Sequence, residues 1–250
     1  MIGNDTVGFG EPGPAQLSVP GTFIGQTYKI HDYFAEHPID GVIGMAFSEL
    51  SYNGFVPPLE RAGDLGIVEP IFTVYMQRVG GKAENVYGGT ITYGGLDSEH
   101  CSERVSYYPL STTSYWKFKV DSFAMGGYSL KRRLDAISDT ASSFIGTAYP
   151  FMADQIAEKV GAKYNKEHDL YYINCQANVS TVITIDEEKF TVEAKNLIIQ
   201  VEEDLCILAL YGYQYFWGSV WILGTPFIRQ YCTIYDIGNE RIGFAKSLQT

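Results

Sequence analysis

The sequence predicts an all-β fold with a few short helices, and three observations support this prediction. The chain has 19 Tyr, 14 Phe and 26 Gly among its 250 residues, which is typical of a strand-rich protein with many turns. Short apolar or alternating runs recur along the chain, and turn residues separate them. Only two segments carry the signals of a helix.

The first elements are strands joined by turns. Residues 5–7 and 22–24 predict strands, and a segment rich in Gly and Pro lies between them. In that segment, residues 8–13 match the glycine spacing of a dinucleotide-binding loop. Such a loop needs a helix that begins at the glycines, and Pro12 with Pro14 prevents one. We therefore predict a turn here and no dinucleotide site.

The next part of the chain contains strands and one short helix. Residues 40–47 predict a short buried strand that ends at a glycine. A helix is predicted from Pro57 or Pro58 through Gly63, because proline is favoured in the first turn. Further β-type runs lie at residues 70–76, 89–94 and 116–123, the last of which alternates cleanly between apolar and polar side chains.

The second half of the chain begins with a helix and continues in short strands. The helix is predicted over residues 149–160, with Phe151, Ile156 and Val160 on one face and Gly161 as its stop. Eight strands are predicted after it, at residues 170–174, 181–185, 189–193, 197–201, 205–210, 219–223, 232–236 and 241–245.

The charge and hydropathy of the chain exclude two classes of partner. The net charge is −11, and such a surface repels phosphate backbones, so we expect no nucleic-acid partner. The longest apolar stretch is shorter than 18 residues, so we expect no membrane insertion. The same acidic surface suits a protein that works in acid, where protonation relaxes the self-repulsion. An ordinary acidic soluble protein is equally compatible with it.

Two further observations concern secretion, and they point in opposite directions. The chain starts without the cationic and apolar segments of a signal peptide. Yet it has an even number of cysteines and two glycosylation sequons, at Asn4 and Asn178. We expect a chain whose natural start is missing, since this would account for both observations.

The candidate chemistry centres on one carboxylate. An apolar strand leads into the run Ile137-Ser138-Asp139-Thr140-Ala141-Ser142-Ser143. Peptide hydrolysis without a metal or a covalent intermediate needs a base that activates water and an acid that protonates the carbonyl oxygen. Two carboxylates that share one proton supply both. Thr140 and Ser142 stand at offsets from which hydroxyl groups reach the Asp139 carboxylate. Taken alone, such a motif is more often a surface turn between a strand and a loop.

This run and six other stretches resemble pepsin-like aspartic proteases, especially the nematode members of that family. The stretches are residues 40–47, 70–75, 88–97, 115–118, 137–140, 221–232 and 234–245, and they occur in the order of that family. The triplets Val42-Ile43-Gly44 and Ile222-Leu223-Gly224 repeat each other, which matches a family pattern of one such strand in each lobe. The resemblance implies a bilobal β fold with an active cleft between the lobes and acid endopeptidase activity.

The resemblance also implies the organisation of the chain and the roles of its residues. Residues 1–105 would form a partial N-terminal lobe with inter-lobe strands, and residues 106–250 a complete C-terminal lobe. Asp139 would be one half of the catalytic pair, Thr140 would cross-link the two active loops, and Ser142 would orient the carboxylate. Ile137 and Ser143 would line the peptide cleft. We expect a monomer that takes peptide or protein substrates without a metal or cofactor, in a secretion, gut-lumen or lysosomal setting.

The chain departs from the family pattern in two ways. Its start resembles the strand that follows the flap hairpin, so we expect the first Asp loop and the flap tyrosine to lie upstream of Met1. This chain on its own is therefore expected to be inactive. Two alternatives to the endopeptidase interpretation remain. The first is a peptide-binding protein that cannot hydrolyse. The second, ranked last, is a symmetric dimer in which two copies of Asp139 meet. Ala141 also replaces the family's Gly, which is costly if that position needs a positive φ.

The last expectations concern the pairing of the cysteines and the location of an aromatic run. The family pattern implies a disulfide between Cys175 and Cys206, and Cys101 with Cys232 is the remaining pair. Four reduced cysteines are the alternative, and the absence of C-x-x-C spacing argues against zinc. The run of residues 211–217, together with Trp221, is either core or a loop at the edge of the cleft.

Overall fold

The computed structural model describes residues 1–36, 39–79, 83, 85–212 and 219–249, and it is a strand-rich structure with short helices, as predicted. The strands are β1 (Ile2–Phe9), β2 (Leu17–Gly25), β3 (Ile71–Met76), β4 (Gly89–Tyr93), β5 (Cys101–Pro109), β6 (Thr112–Thr113), β7 (Trp116–Val120), β8 (Ser122–Met125), β9 (Tyr128–Leu130), β10 (Leu134–Ser138), β11 (Ile145–Gly146), β12 (Lys163–Asn165), β13 (Leu170–Ile173), β14 (Thr181–Ile185), β15 (Glu188–Val192), β16 (Ile198–Glu202), β17 (Leu205–Leu208), β18 (Leu210–Tyr211), β19 (Val220–Leu223), β20 (Tyr231–Asp236) and β21 (Arg241–Ser247). The helices are α1 (Asp32–Ala35), α2 (Pro58–Asp64), α3 (Pro150–Val160), α4 (Ala194–Leu197) and α5 (Thr225–Gln230), with 3₁₀ turns at Ser48–Leu50 and Tyr52–Gly54.

The described strands form five sheets. Strands β1 and β2 make an antiparallel hairpin across the Gly- and Pro-rich turn predicted at residues 8–13. The largest sheet has the order β18-β11-β19-β10-β7-β6 and carries the candidate catalytic loop. Two four-stranded sheets, β12-β13-β17-β16 and β15-β14-β8-β9, lie in the second half of the chain. The fifth sheet has the order β4-β3-β20-β21-β5.

The fifth sheet joins the beginning and the end of the chain. Its strands β3, β4 and β5 come from the first 109 residues, and β20 and β21 come from the last 20. A disulfide between Cys101 and Cys232 ties β5 to β20. The predicted division at residues 105 and 106 falls inside β5, and it stays a prediction.

The core of the second half forms where the sheets pack face to face through large aromatic side chains. Trp221 of β19 is 1% exposed and stacks on Phe123 of β8, with ring centroids 4.1 Å apart. Phe227 of α5 packs edge to face against Phe244 of β21 at 5.0 Å. Burial of such rings is the main source of stability in a fold of this kind. The second disulfide, Cys175–Cys206, closes a 31-residue span beside this core.

Both predicted helices are present, but the face of the second differs from the prediction. Helix α3 has Pro150 in its first turn and ends at Gly161, whose φ of +74° is the left-handed conformation that favours glycine. Phe151, predicted on the buried face, is instead 56% exposed. The buried face is formed by Met152, Ala153, Ile156 and Ala157. Alanines carry little hydropathy signal, so the sequence pattern did not mark this face.

Three strand predictions need correction. Residues 40–47 form no strand, and Val42 and Ile43 are 86% and 52% exposed, because no described strand lies beside them. Residues 116–123 are two strands, β7 and β8, which break at Asp121 and enter different sheets. Residues 205–210 likewise divide at Ala209 into β17 and β18. The two adjacent polar residues Asp121 and Ser122 shift the alternation by one position, and this shift marks the break between β7 and β8.

Several short elements escaped sequence prediction. Helix α5 has six residues, which is too short for a helical period, although Pro226 in its first turn was a usable signal. The other described helices are no longer than α3, and none among the described residues is long and apolar enough to cross a bilayer.

Candidate active site

The Asp139 carboxylate sits at the end of a buried central strand. Strand β10 lies between β19, to which it is parallel, and β7, to which it is antiparallel. The backbone N–H of Asp139 continues the parallel ladder by donating to the carbonyl oxygen of Leu223 at 3.1 Å. Because β10 is hydrogen-bonded to a strand on each side, the sheet fixes the position of Asp139.

The turn after Asp139 closes around its carboxylate. The backbone N–H of Ala141 donates to Oδ1 at 2.9 Å, and Oγ of Ser142 donates to Oδ2 at 2.5 Å. The two donors act on different oxygens, so the plane of the carboxylate is set. This is the contact that the predicted orienting role of Ser142 requires. Ala141 is absent from the positive-φ residues of the described chain, so its Cβ meets no backbone penalty.

The residue after strand β19, Gly224, packs directly against this loop. A Cβ on Gly224 would collide with the carbonyl oxygens of Ser142 and Phe144, so only glycine fits. The next residue, Thr225, donates from its backbone N–H to Ser142 O at 2.8 Å and from Oγ1 to Ser143 O at 3.0 Å. The repeated triplet marks the glycine in the sequence, whereas Thr225 was not predicted as a site residue, although its position directly after the glycine was a signal.

A buried hydroxyl pair supports the base of the loop. Ser138, the residue before Asp139, shares a hydrogen bond of 2.9 Å with the phenol of Tyr235, which is 1% exposed. Burial raises the pKa of Tyr235, so this phenol stays neutral. Phe72 stacks on the ring with centroids 4.5 Å apart, and Trp116 meets it edge to face at 5.0 Å. Sequence reasoning missed Tyr235, since its contact with Ser138 spans 97 residues.

A cavity of about 720 Å³ opens in front of Asp139. Its walls come from residues 42–46, from β3 and β4, from Tyr115 and Trp116, and from residues 137–141. The lining is mostly apolar, and among the described residues that line it Asp139 carries the only carboxylate. A volume of this size is typical of a ligand cleft.

The structure brings most of the predicted site residues to this cavity. Asp139 and Thr140 line it, and Thr140 is exposed at the tip of the turn. Ile137 also lines it and packs below against Val220 and Ile222. Ser143 is exposed and is not among the lining residues, although its carbonyl oxygen accepts a hydrogen bond from Thr225.

The other predicted positions lie away from the cavity. The structure contains both disulfides, Cys101–Cys232 and Cys175–Cys206. Asn4 and Asn178 of the two sequons are both exposed. In the aromatic run, Trp221 is core and Tyr211 donates to Asp169 Oδ2 at 2.7 Å, while residues 213–217 lie outside the described residues.

Comparison with known proteins gives consistent matches along the whole chain. The family described as eukaryotic aspartyl protease matches residues 1–247. Aspartic protease 2 of Necator americanus is 42% identical over 246 residues, which cover 98% of this chain and 57% of that protein. Aspartic protease 6 of Caenorhabditis elegans is 42% identical over 252 residues, with coverage of 100% and 64%. Cathepsin D of Dictyostelium discoideum is 33% identical over 223 residues, with coverage of 84% and 56%. The chain thus spans about three fifths of the length of these relatives.

Proposed function

Because this chain belongs to the eukaryotic aspartyl protease family, as its resemblance to pepsin-like enzymes predicted, we propose that it forms part of an acid endopeptidase. The observation that supports this most directly is the Asp139 carboxylate. Both of its oxygens accept fixed hydrogen bonds, and it faces an apolar cavity of about 720 Å³.

The proposed mechanism uses Asp139 as one of two carboxylates. A second carboxylate about 3 Å away would share one proton with Asp139, since both cannot be ionised at that distance. The ionised member takes a proton from water as the water attacks the peptide carbonyl, and the protonated member donates to the carbonyl oxygen. The pair titrates as a unit. Ser142 orients Asp139, while Thr140, at the exposed tip, is placed to contact a facing loop.

The second carboxylate would reach the cavity on another polypeptide segment. The triplet Ile222-Leu223-Gly224 lies in parallel beside the strand that delivers Asp139, with Ile222 and Leu223 1–2% exposed. The matching triplet Val42-Ile43-Gly44 also lines the cavity, yet Val42 and Ile43 are exposed and no described strand pairs with them. If the repeat of the triplet extends to its surroundings, residues 42–43 would receive a second strand that bears an aspartate.

The substrates would be peptides or proteins with apolar side chains next to the cleaved bond. Ile137 and the aromatic residues of the cavity wall offer apolar contact on the Asp139 side. We place the protein in a secreted or lysosomal acid setting, where protonation relieves its net charge of −11. The exposed Asn4 and Asn178 would be accessible for glycosylation there.

The test is hydrolysis of a chromogenic peptide at acid pH by the natural protein that contains this chain. Asp139→Asn should lower kcat on the order of 10²–10⁴-fold, because a positioned acid or base contributes about that much. Asp64→Asn is the matched control, since Asp64 lies exposed at the end of α2. Equal activity of the Asp139→Asn variant and the wild type would rule out the proposal.

A second candidate is a peptide-binding protein without hydrolysis. One observation favours it, namely that Asp139 carries the only carboxylate among the described residues lining the cavity. The same peptide would then bind at acid pH, measured by fluorescence anisotropy, and would be recovered uncut. Cleavage that depends on Asp139 would dismiss this candidate.

A further inference from the structure

An exposed basic run lies between strands β9 and β10. It consists of Lys131-Arg132-Arg133, and it is the only place in the sequence where cationic residues are adjacent. All three residues are exposed. The net charge of the chain is −11, so the run is a local exception to an acidic surface.

The backbone of this run lies outside the hydrogen-bonded framework of the fold. Strand β9 ends at Leu130 and β10 begins at Leu134, so residues 131–133 belong to neither strand. Among the described residues, the backbone hydrogen bonds of turns and loops also leave out residues 131–133. Exposed connections whose backbone is not held by hydrogen bonds are the preferred sites of proteolytic cleavage.

The side chains of the run differ in their partners. Arg133 forms an ion pair with Asp121, in which Nε lies 3.4 Å from Oδ1. The ion pairs of the described residues include neither Lys131 nor Arg132. A lysine or arginine side chain is what a trypsin-like serine protease binds, because its S1 pocket holds a carboxylate. Lys131 and Arg132 are therefore better placed than Arg133 to enter such a pocket.

The two strands that flank the run differ in how easily they leave the fold. A protease must hold several residues on each side of the bond in an extended conformation. Strand β9 has only three residues and is the outer strand of its sheet, next to β8. Strand β10 is hydrogen-bonded on both sides, and its first residue, Leu134, is 8% exposed. Local opening is therefore easier on the β9 side of the run than on the β10 side.

This difference selects one bond in the run. With Lys131 in the S1 pocket, the residues before the bond come from β9, and the two after it, Arg132 and Arg133, lie outside β10. With Arg132 or Arg133 in the pocket, the protease would have to draw Leu134 out of the central sheet. That movement would break the pairing of Leu134 with Val120 and expose a buried side chain.

We propose that the Lys131–Arg132 bond is a cleavage site for a trypsin-like serine endoprotease. The net reaction adds one water across the peptide bond, so that Lys131 ends in a carboxylate and Arg132 begins with an α-ammonium group. The products are residues 1–131 and residues 132–250 of this chain. The proposal does not depend on whether the chain itself takes part in peptide hydrolysis.

The fold holds the two products together. Cys101 lies in the first product and Cys232 in the second, and their disulfide bridges the cut. Strand β10 of the second product remains hydrogen-bonded to β7 of the first, and to β19 of its own. The strand that leads to Asp139 therefore stays in the sheet. The cleaved form is a two-chain protein joined by a disulfide.

Brief digestion with trypsin of the folded natural protein that contains this chain tests the proposal. The products are separated on denaturing gels with and without a reductant, and each is identified by its N-terminal sequence. We expect a new N terminus at Arg132. The cleaved species should keep its full size without reductant and separate into two pieces with it, since the Cys101–Cys232 disulfide spans the cut.

Exposed substitutions provide the matched controls. Lys131→Gln should slow cleavage of the run at least about tenfold, because the carboxylate of the S1 pocket is left without a cation. Lys166→Gln, an exposed lysine between β12 and β13, should change the rate by less than about twofold, since surface substitutions seldom disturb a fold.

Three results would overturn the proposal. The first is cleavage of the run at the wild-type rate in Lys131→Gln. The second is a cut in the wild-type protein that falls after Arg133 instead of Lys131. The third is a folded protein that stays intact at this run while its urea-unfolded form is cut there.

Discussion

The substitution Gly224→Ala tests how tightly the candidate catalytic loop is packed. The backbone of Gly224 has a φ of −87°, which alanine adopts freely, so the expected cost comes from contact alone. The new Cβ would overlap the carbonyl oxygens of Ser142 and Phe144, and backbone atoms cannot rotate away as side chains do. Overpacking of this kind costs about 1–3 kcal/mol of unfolding free energy. A shift of the loop by about 1 Å would also slow catalysis about 10²-fold.

Urea unfolding followed by tryptophan fluorescence measures the first effect, and peptide hydrolysis at acid pH measures the second. Gly95→Ala is the matched control, because a Cβ at Gly95 meets nothing within 4 Å. Both substitutions lower the conformational entropy of the unfolded chain, which raises the unfolding free energy by about 0.4–1 kcal/mol in each variant. The difference in unfolding free energy between the two variants therefore reports the steric overlap at residue 224 alone. Equal unfolding free energies for the two variants would refute the packing argument.

Three further outcomes are expected. Tyr235→Phe should cost about 1–3 kcal/mol in urea unfolding because it leaves Ser138 Oγ buried without its partner, whereas Tyr128→Phe on the edge strand β9 should change stability by less than about 0.5 kcal/mol. Replacing Cys175 and Cys206 by alanine should cost about 3.7 kcal/mol, from the entropy of a 31-residue loop. Replacing Cys101 and Cys232 should cost more, about 5 kcal/mol, since that loop spans 131 residues. The same unfolding assay checks the order, and a larger loss for the shorter loop would contradict the loop-entropy argument.

The parts of the site that could be predicted from sequence are those that the local chain encodes. Asp139, Ser142 and Ala141 stand within four residues, and their hydrogen bonds form inside one turn. Thr225 and Tyr235 act on the same loop from 82 and 97 residues away, and no local pattern marks such contacts.

The errors in the fold have two causes. The alternation at residues 116–120 ends at Asp121 and Ser122, two adjacent polar residues that put Phe123 out of phase, and β7 and β8 accordingly belong to different sheets. The apolar run at 40–47 predicts burial, which requires a neighbouring strand as well as apolar side chains. The sequence shows that the side chains are apolar, but it does not show whether a neighbouring strand is present.

The glycines of the two repeated triplets provide the last test, because they have the same sequence context and opposite surroundings. A Cβ at Gly224 collides with the Asp139 loop, while a Cβ at Gly44 meets nothing within 4 Å. If a second aspartate loop lies over residues 42–44 as the first lies over β19, Gly44 becomes as crowded as Gly224. Gly44→Ala should then cost about 1–3 kcal/mol in a protein that carries that loop, and close to nothing in this 250-residue chain alone. Urea unfolding of both forms measures the difference, and an equal cost in the two would show that the resemblance of the triplets does not extend to a second catalytic loop.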